Sequence, residues 1–248
     1  MTTAREIIEE LGRMFPERLE EPWDSTEGLI SGNIGKRVKS VLLTLEFRDN
    51  VAAKEADMVI LHHPPRFGMQ KKVTNPFYKR ARLGGRVVYA VHSRLDRTGF
   101  SNEALAERLF GRIGYRIERV LDDGTVIAAL RRPLGEDAAI KLVKSRLGLE
   151  SVNVIAKGKT VMKVAIHGGA GFDSHHVVDA SKEKVDLYLG GDMGHHLAEH
   201  AHFFDIDFID IGHFTEQEGM ARLARVLSER FPKVRFEYVE QKPLWSVR

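Results

Sequence analysis

The stretch Asp57-Met-Val-Ile-Leu-His-His-Pro-Pro-Arg-Phe-Gly68 decides how the chain is read. Four apolar residues, Met58 to Leu61, run directly into His62 and His63, and two prolines and a glycine then forbid a regular continuation. A short apolar run bounded by turn residues is the pattern of a strand buried on both faces, as in a parallel sheet. Open α/β sheets gather their ligands at the C-terminal ends of such strands, so the two imidazoles are expected at the sheet's rim. Successive side chains of a strand point to opposite faces, and both rings reach one site only where the chain turns. Pro64 and Pro65, with φ fixed and no N–H to donate, supply that turn. The histidine pair is expected to ligate metal.

Composition narrows the classes. The chain has 248 residues, 43% of them hydrophobic, enough to bury a core as one large domain or two intimately packed halves. No apolar run approaches the ~20 residues that span a bilayer. The charged opening Met1 to Glu10 lacks the apolar stretch of a signal peptide. There is no cysteine, so no disulfide framework and no thiolate site exists, and any metal must be held by imidazole and carboxylate. These features point to a cytoplasmic protein without membrane association. A net charge of +3 is too small to argue for nucleic acid. The basic cluster Lys71, Lys72, Lys79, Arg80, Arg82 and Arg86 reads as a solvated helix face.

Histidine is unevenly distributed. All eleven lie between His62 and His213, and eight follow residue 166. Localised chemistry is the implication.

Along the chain, Thr3-x-x-Glu6 is a capping-box pattern opening a helix over about 3–14. Glycines 28, 32 and 35 mark a short strand or turn region. Val38 to Leu45 is β-rich, and Asn50 to Ala56 reads as a short helix feeding the His62 strand. Asn75-Pro76 starts a helix that Gly84-Gly85 ends. Arg86 to Val91 is a strand running into His92, and a helix follows near 102–110. Strands are expected at 125–130, 151–156, 160–166, 185–189, 208–211 and 234–239. Helices are expected at 136–147, after Gly171, at 194–204, and from the His213 turn to about Glu229. Alternating strands and helices define an α/β fold with largely parallel sheets flanked by helices.

One regularity organises these elements. Strands ending near 61, 91, 166, 190 and 211 are each followed at once by His, Asp or a glycine-rich turn. Parallel strands align their C-terminal ends along one edge, so segments about 150 residues apart can converge there. The simplest ligand set is His62, His63, Asp96, His213 and an acid just after His213. Two carboxylates bridging two ions, each capped by imidazole, is the arrangement of two-metal hydrolases. Asp96 alone reads equally well as a cap for the next turn.

The motifs resemble those of the Nif-three-like proteins of the YbgI type, often described as GTP cyclohydrolase I type-2-like. Trp23-Asp-Ser-Thr-Glu-Gly-Leu-Ile-Ser-Gly32 resembles that family's Trp-Asp-Asn-x-Gly-Leu-x-x-Gly. His62-His-Pro-Pro-Arg-Phe67 resembles His-His-Pro-Leu-x-Phe, and His92-Ser-Arg-Leu-Asp96 resembles His-Thr-Asn-Leu-Asp. Gly168-Gly-Ala-Gly171, Gly191-Asp-Met-Gly-His195 and Gly212-His-Phe-Thr-Glu216 match three further motifs in order.

The resemblance covers nearly the whole chain. It implies a single Nif-three-like unit over 1–248, with approximate halves 1–120 and 121–248 and no inserted middle domain. It implies two divalent ions per subunit, iron, zinc, manganese or nickel, held by His62, His63, Asp96, His213 and Glu216. It also implies a toroidal homo-hexamer. The family spaces its last ligands as His-x-x-x-Glu, whereas His213 plus four is Gln217; Glu216 follows from a one-residue deletion, and Glu218 is the alternative. Arg66 and Arg94 stand where the family has uncharged residues, which favours a nucleotide or other phosphorylated ligand.

Asp192 and His195 are the residues expected to orient ligands or move protons, His195 reading equally as a helix-surface residue. Gly168 to Gly171 would let backbone approach a phosphate or simply meet a tight turn. Function is thereby expected to be metal-dependent hydrolysis, with metal delivery or partner binding without turnover as the alternatives.

Overall fold

Two sheets carry the described part of the chain. The structure, a computed structural model, describes residues 1–24, 27–64 and 85–244. The turn at Pro65 to Gly68, the helix expected from Asn75 to Gly84 and the basic residues Lys71 to Arg82 lie outside the described residues.

The chain forms two compact units. The first holds Met1–Asp96 and Met220–Gln241, and the second holds Arg97–Gly219 with the described residues from Lys242 onward. The first unit therefore takes its members from both ends of the sequence.

The first sheet has the order β1-β4-β3-β2-β11, with β1 Gly28–Ser31, β2 Ser40–Thr44, β3 Met58–Leu61, β4 Val87–Ala90 and β11 Arg235–Tyr238. β2, β3, β4 and β11 pair parallel, and β1 adds antiparallel at the edge. All four residues of β3 and of β4 are buried, which is why these segments read as unbroken apolar runs rather than alternating ones. Thr44, Leu61 and Ala90 stand in register. The ladder runs just past the strand ends: His62 N–H donates to Thr44 (3.1 Å), His63 N–H to Leu45 (2.8 Å) and Val91 N–H to Leu61 (3.0 Å). The helix Ala4–Met14 opens with the expected reciprocal cap between Thr3 and Glu6.

The second sheet has the order β5-β6-β8-β9-β10-β7: β5 Tyr115–Val120, β6 Val126–Gly135, β7 Asn153–Ile155, β8 Thr160–His167, β9 Leu187–Gly190 and β10 Asp207–Asp210. Its heart, β8-β9-β10, is parallel; the β5-β6, β6-β8 and β10-β7 pairs are antiparallel. His167, Gly190 and Asp210 stand in register at the parallel ends. One face packs Ile127, Ala165, Tyr188 and Phe208, and the other packs Val126, Val164, Ile166, Leu187 and Ile209. That division is the period-two alternation of a strand.

Two features were hidden in sequence. β5 is an edge strand whose four central residues are exposed, Arg116, Glu118 and Arg119 among them, and charge on an edge blocks further pairing. It has no apolar run to announce it. β6 runs beyond residue 130 through Pro133, and its register with β8 shifts between Ala129 and Leu134, the kind of irregularity that admits proline into a sheet. Among the described residues no helix is long and apolar enough to cross a membrane.

Candidate metal centre

In the first unit, the histidines of the cluster follow β3 and β4. His62 is fully buried, and its Nε2 lies 3.4 Å from Oδ2 of Asp96, which sits in the short helix Ser93–Arg97. The rings of His62 and His63 lie 4.8 Å apart and tilted by 52°, so the break after Leu61 does set adjacent residues side by side. His63 Nδ1 lies 3.5 Å from Glu46 Oε1. His63 first, and Arg48 after it, hold the Glu46 carboxyl down to about 2 against the opposing effect of burial.

A third imidazole completes this cluster. His92 stands nearly perpendicular to both neighbours, 5.0 Å from His62 and 5.2 Å from His63. Nitrogens of His62, His63 and His92 come within 4.8 Å of one another, a grouping able to hold a metal ion. Asp24, buried, lies 2.7 Å from His92 Nδ1 and accepts from Ser93 N–H at 3.2 Å. Burial opposes ionisation at both members of this pair, yet their mutual bond keeps Asp24 below and His92 above its ordinary value. His92 opens the motif His92-Ser-Arg-Leu-Asp96, in which no role attaches to it from sequence. The available signal was positional, since β4 runs into His92 as β3 runs into His62.

Arg94 requires a correction. It was expected to bring positive charge toward a phosphorylated ligand, but it is buried. Its Nε donates to Glu27 at 2.7 Å, and other guanidinium nitrogens reach Tyr89 Oη and the Phe15 carbonyl. A buried cation needs such a partner, and Glu27 neutralises it. Arg66 lies outside the described residues.

In the second unit, β9 and β10 lead into Asp192 and His213. Gly212, at φ +79°, turns the chain into the short 3-10 helix His213–Glu216. His213 Nδ1 lies 2.6 Å from Asp192 Oδ2, and its Nε2 lies 3.3 Å from Glu216 Oε2. Burial works against a charged imidazole here, but the Asp192 bond and then Glu216 raise His213 to about 11. Two carboxylates around one imidazole make this a place that favours positive charge. Glu216 is buried; Glu218 lies 4.0 Å from Arg108 Nε. His195 is exposed at the start of the helix His195–His202, where its ring meets that of His196.

The glycine turn after β8 is shaped around Glu216. Gly169 has φ +65°, and a β-carbon there would overlap the Glu216 carboxylate. A β-carbon on Gly171 would overlap the His167 carbonyl. The tight-turn reading, with its need for positive φ, is met at Gly169. The helix Ser174–Lys182 that follows is capped by the side chain of Asp173, which accepts from His175 N–H at 2.9 Å. An acidic cap already occupies the position a phosphate would take.

A second cluster in this unit went unnoticed in sequence. Asp123, in the turn between β5 and β6, His167 at the end of β8 and His176 on the following helix offer ligand atoms within 4.8 Å of one another. His167 Nδ1 lies 2.7 Å from Thr125 Oγ1, and His176 Nδ1 lies 2.6 Å from Asp123 Oδ2. The two rings stack at 4.0 Å and 26°. Burial, followed by the nearness of His176, pushes His167 down to about 4.

With this geometry in place, likeness to other proteins becomes informative. Residues 2–243 match the family model described as Duf34/NIF3 (NGG1p interacting factor 3). The chain belongs to the DUF34/NIF3 family. Among its NIF3-type relatives is a protein of Methanothermobacter thermautotrophicus named GTP cyclohydrolase 1 type 2 homolog. It is 30% identical over 90% of this chain and 87% of the relative. A Helicobacter pylori protein named GTP cyclohydrolase 1 type 2 is 24% identical over 93% of each chain. The crystal structure of Staphylococcus aureus protein SA1388 superposes with a TM-score of 0.86 over 99% of each chain at 19% identity, and that of a Bacillus cereus protein related to NIF3 with a TM-score of 0.84 over 100% of this chain and 99% of that one, also at 19% identity, so the fold is shared.

The donor chemistry fits a divalent cation. Imidazole nitrogens and carboxylate oxygens without thiolate suit first-row divalent metals, and two buried donors, His62 and Glu216, already face polar partners within their own units. Asp24 on His92 and Asp192 on His213 supply the outer carboxylates that commonly orient a metal-bound imidazole.

Proposed function

We propose that this NIF3-family chain is a metal-dependent hydrolase in which His62, His63, Asp96, His213 and Glu216 hold two divalent ions. The observation that carries the reading is the placement of imidazole–carboxylate clusters at the aligned C-terminal ends of parallel strands, where open α/β sheets bind their ligands. Ions bound there would polarise a substrate oxygen and lower the pKa of a bound water.

The chain's own residues supply the order around them. Asp192 fixes which His213 nitrogen is presented, and Asp24 does the same for His92. Glu46, held charged, faces His63 and keeps that ring from turning away. His62, fully buried, excludes water from its side of the site. His195 is assigned the mobile role of carrying protons to and from solvent. The names borne by relatives suggest hydrolytic opening of a purine ring on a nucleotide. The working form is a cytoplasmic homo-hexamer.

The test is elemental analysis of purified protein, His62→Ala and Asp96→Ala, followed by nucleotide hydrolysis with the metal found. Loss of metal in both variants, with folding retained, and consumption of GTP by the loaded protein are expected. Full metal retention in either variant overturns the ligand assignment. Light scattering checks the hexamer, and a mass of 28.0 kDa would refute it.

A second reading is favoured by the complete burial of His62, because closed sites hold metal structurally whereas catalytic sites keep a position open. Under it the ions are structural and the protein serves assembly or partner binding without turnover. Metal content with no nucleotide consumed, together with slow release to a competing chelator, would select it; rapid release would point instead to a metal-delivery protein.

A further inference from the structure

We propose that Asp123, His167 and His176 form a separate binding site for one first-row divalent cation, apart from the ligands assigned above. Three observations carry it. The donors come from three different segments, the β5–β6 turn, the end of β8 and the helix Ser174–Lys182, yet their ligand atoms gather within 4.8 Å. Two imidazoles with one carboxylate is a donor set suited to zinc, iron(II), cobalt or nickel and poorly suited to calcium or magnesium. And the surroundings already do what an outer shell does. Thr125 Oγ1 engages His167 Nδ1 at 2.7 Å, which directs the other ring nitrogen elsewhere. Thr125 N–H holds the second Asp123 oxygen at 2.8 Å, which fixes that carboxylate in its turn.

The cation replaces the hydrogen bond between His176 Nδ1 and Asp123 Oδ2, now 2.6 Å long; donors bound at about 2.0–2.1 Å around one tetrahedral ion stand roughly 3.3 Å apart, so this pair must open to admit it. His167 is buried, while the side chains of His176 and Asp123 are 26% and 20% exposed. The cation therefore enters from the solvent side, past His176. One geometric cost must be met. Ligating rings have to aim their nitrogens at a common point, and planes only 26° apart do not. His176 must turn on its helix, and its partly exposed position allows this. With three protein donors a fourth position stays open to water, as in non-structural zinc sites.

The ligands assigned under the proposed function belong to other residues, so the two ideas fail separately. The experiment uses the full-length His62→Ala/His63→Ala variant, stripped with chelator and titrated with Co²⁺, read by its visible absorption and by elemental analysis. One Co²⁺ per chain is expected. Adding His176→Ala should weaken that binding by at least about tenfold, the usual scale for a lost site residue, and Asp123→Asn should act likewise. Circular dichroism checks folding; alanine suits a helical position, so His176→Ala is expected to fold normally. Absence of Co²⁺ uptake by the His62→Ala/His63→Ala protein, or weakening of less than tenfold in His176→Ala, overturns the proposal. The second result would trace the cobalt to other histidines, such as those of His195–His202.

Discussion

Asp192 holds His213 Nδ1 at 2.6 Å from a backbone position with φ of +64°. Left-handed backbone is uncommon for a residue with a β-carbon, and aspartate is one of the few that visits it at modest cost. The strained position is thus tied to the side chain that engages Nδ1 of the imidazole. Asp192→Asn keeps the shape and removes the charge, and metal affinity is expected to fall about 10- to 100-fold in a chelator competition assay. Asp192→Gly relieves the backbone but loses the carboxylate, so it should bind metal as poorly while melting no lower. Wild-type affinity in Asp192→Asn would remove Asp192 from the site.

Glu216 and Glu218 separate cleanly. Glu216 is buried beside His213, whereas Glu218 lies near Arg108. Glu216→Ala should lose bound metal and Glu218→Ala should keep it, measured by elemental analysis of both proteins. The reverse pattern would mean that the one-residue deletion in the Gly212-His-Phe-Thr-Glu216 motif has been misplaced.

The contrast between those two acids shows how much was legible beforehand. Strand ends were readable because β3, β4, β8, β9 and β10 are buried, apolar and followed by punctuation. His62 and His63 stood out because two imidazoles end a fully buried apolar strand, whereas Asp96 read equally as a turn cap, and only the structure sets it 3.4 Å from His62. The Asp123–His167–His176 cluster was not readable, since its members are 53 residues apart at the extremes and a solvent-facing turn such as Asp122-Asp123-Gly124 ordinarily means only a hairpin. Arg94 misled for a related reason. Sequence shows a charge but not its partner, and Glu27 lies 67 positions away.

Gly169 should tolerate no side chain. Its φ of +65° costs alanine about 1–2 kcal/mol, and the added carbon must displace the Glu216 carboxylate. Gly169→Ala is expected to lower the melting temperature by several degrees and to reduce metal content together with it. Gly148, also left-handed at φ +68° but with open space around its β-position, is the control: Gly148→Ala should show the strain cost without metal loss. Equal metal content in both variants would separate Gly169 from Glu216.

His167 sets a pH dependence of stability. Its folded value is held near 4 by burial and by His176, against an ordinary 6.5. Below pH 6.5 the unfolded chain takes up a proton that the folded chain refuses until about pH 4. The contribution is therefore complete above 6.5 and is lost as pH falls through that window, by up to about 1.4 kcal/mol per pH unit. Urea unfolding of chelator-treated protein at several pH values between 7.5 and 5 should show this slope, and His167→Gln should show less of it. Parallel curves would place the buried proton elsewhere.

The pairing of β11 with β2 bears on how the protein is made. Tyr238 stands opposite Leu43, and Thr44 Oγ1 donates to the Val239 carbonyl across a separation of 195 residues. Gln241 then clasps the backbone of Glu46 from both sides, the same Glu46 that faces His63. On the ribosome, β2 emerges with a bare edge and waits for a partner 195 residues downstream, on the order of 10–40 s at ordinary rates of synthesis. Until then the nascent sheet offers an unprotected pairing template, and the support behind His63 is missing. The support behind His63 is thus finished only after the segment that carries Gln241, 195 residues beyond Glu46, has been made.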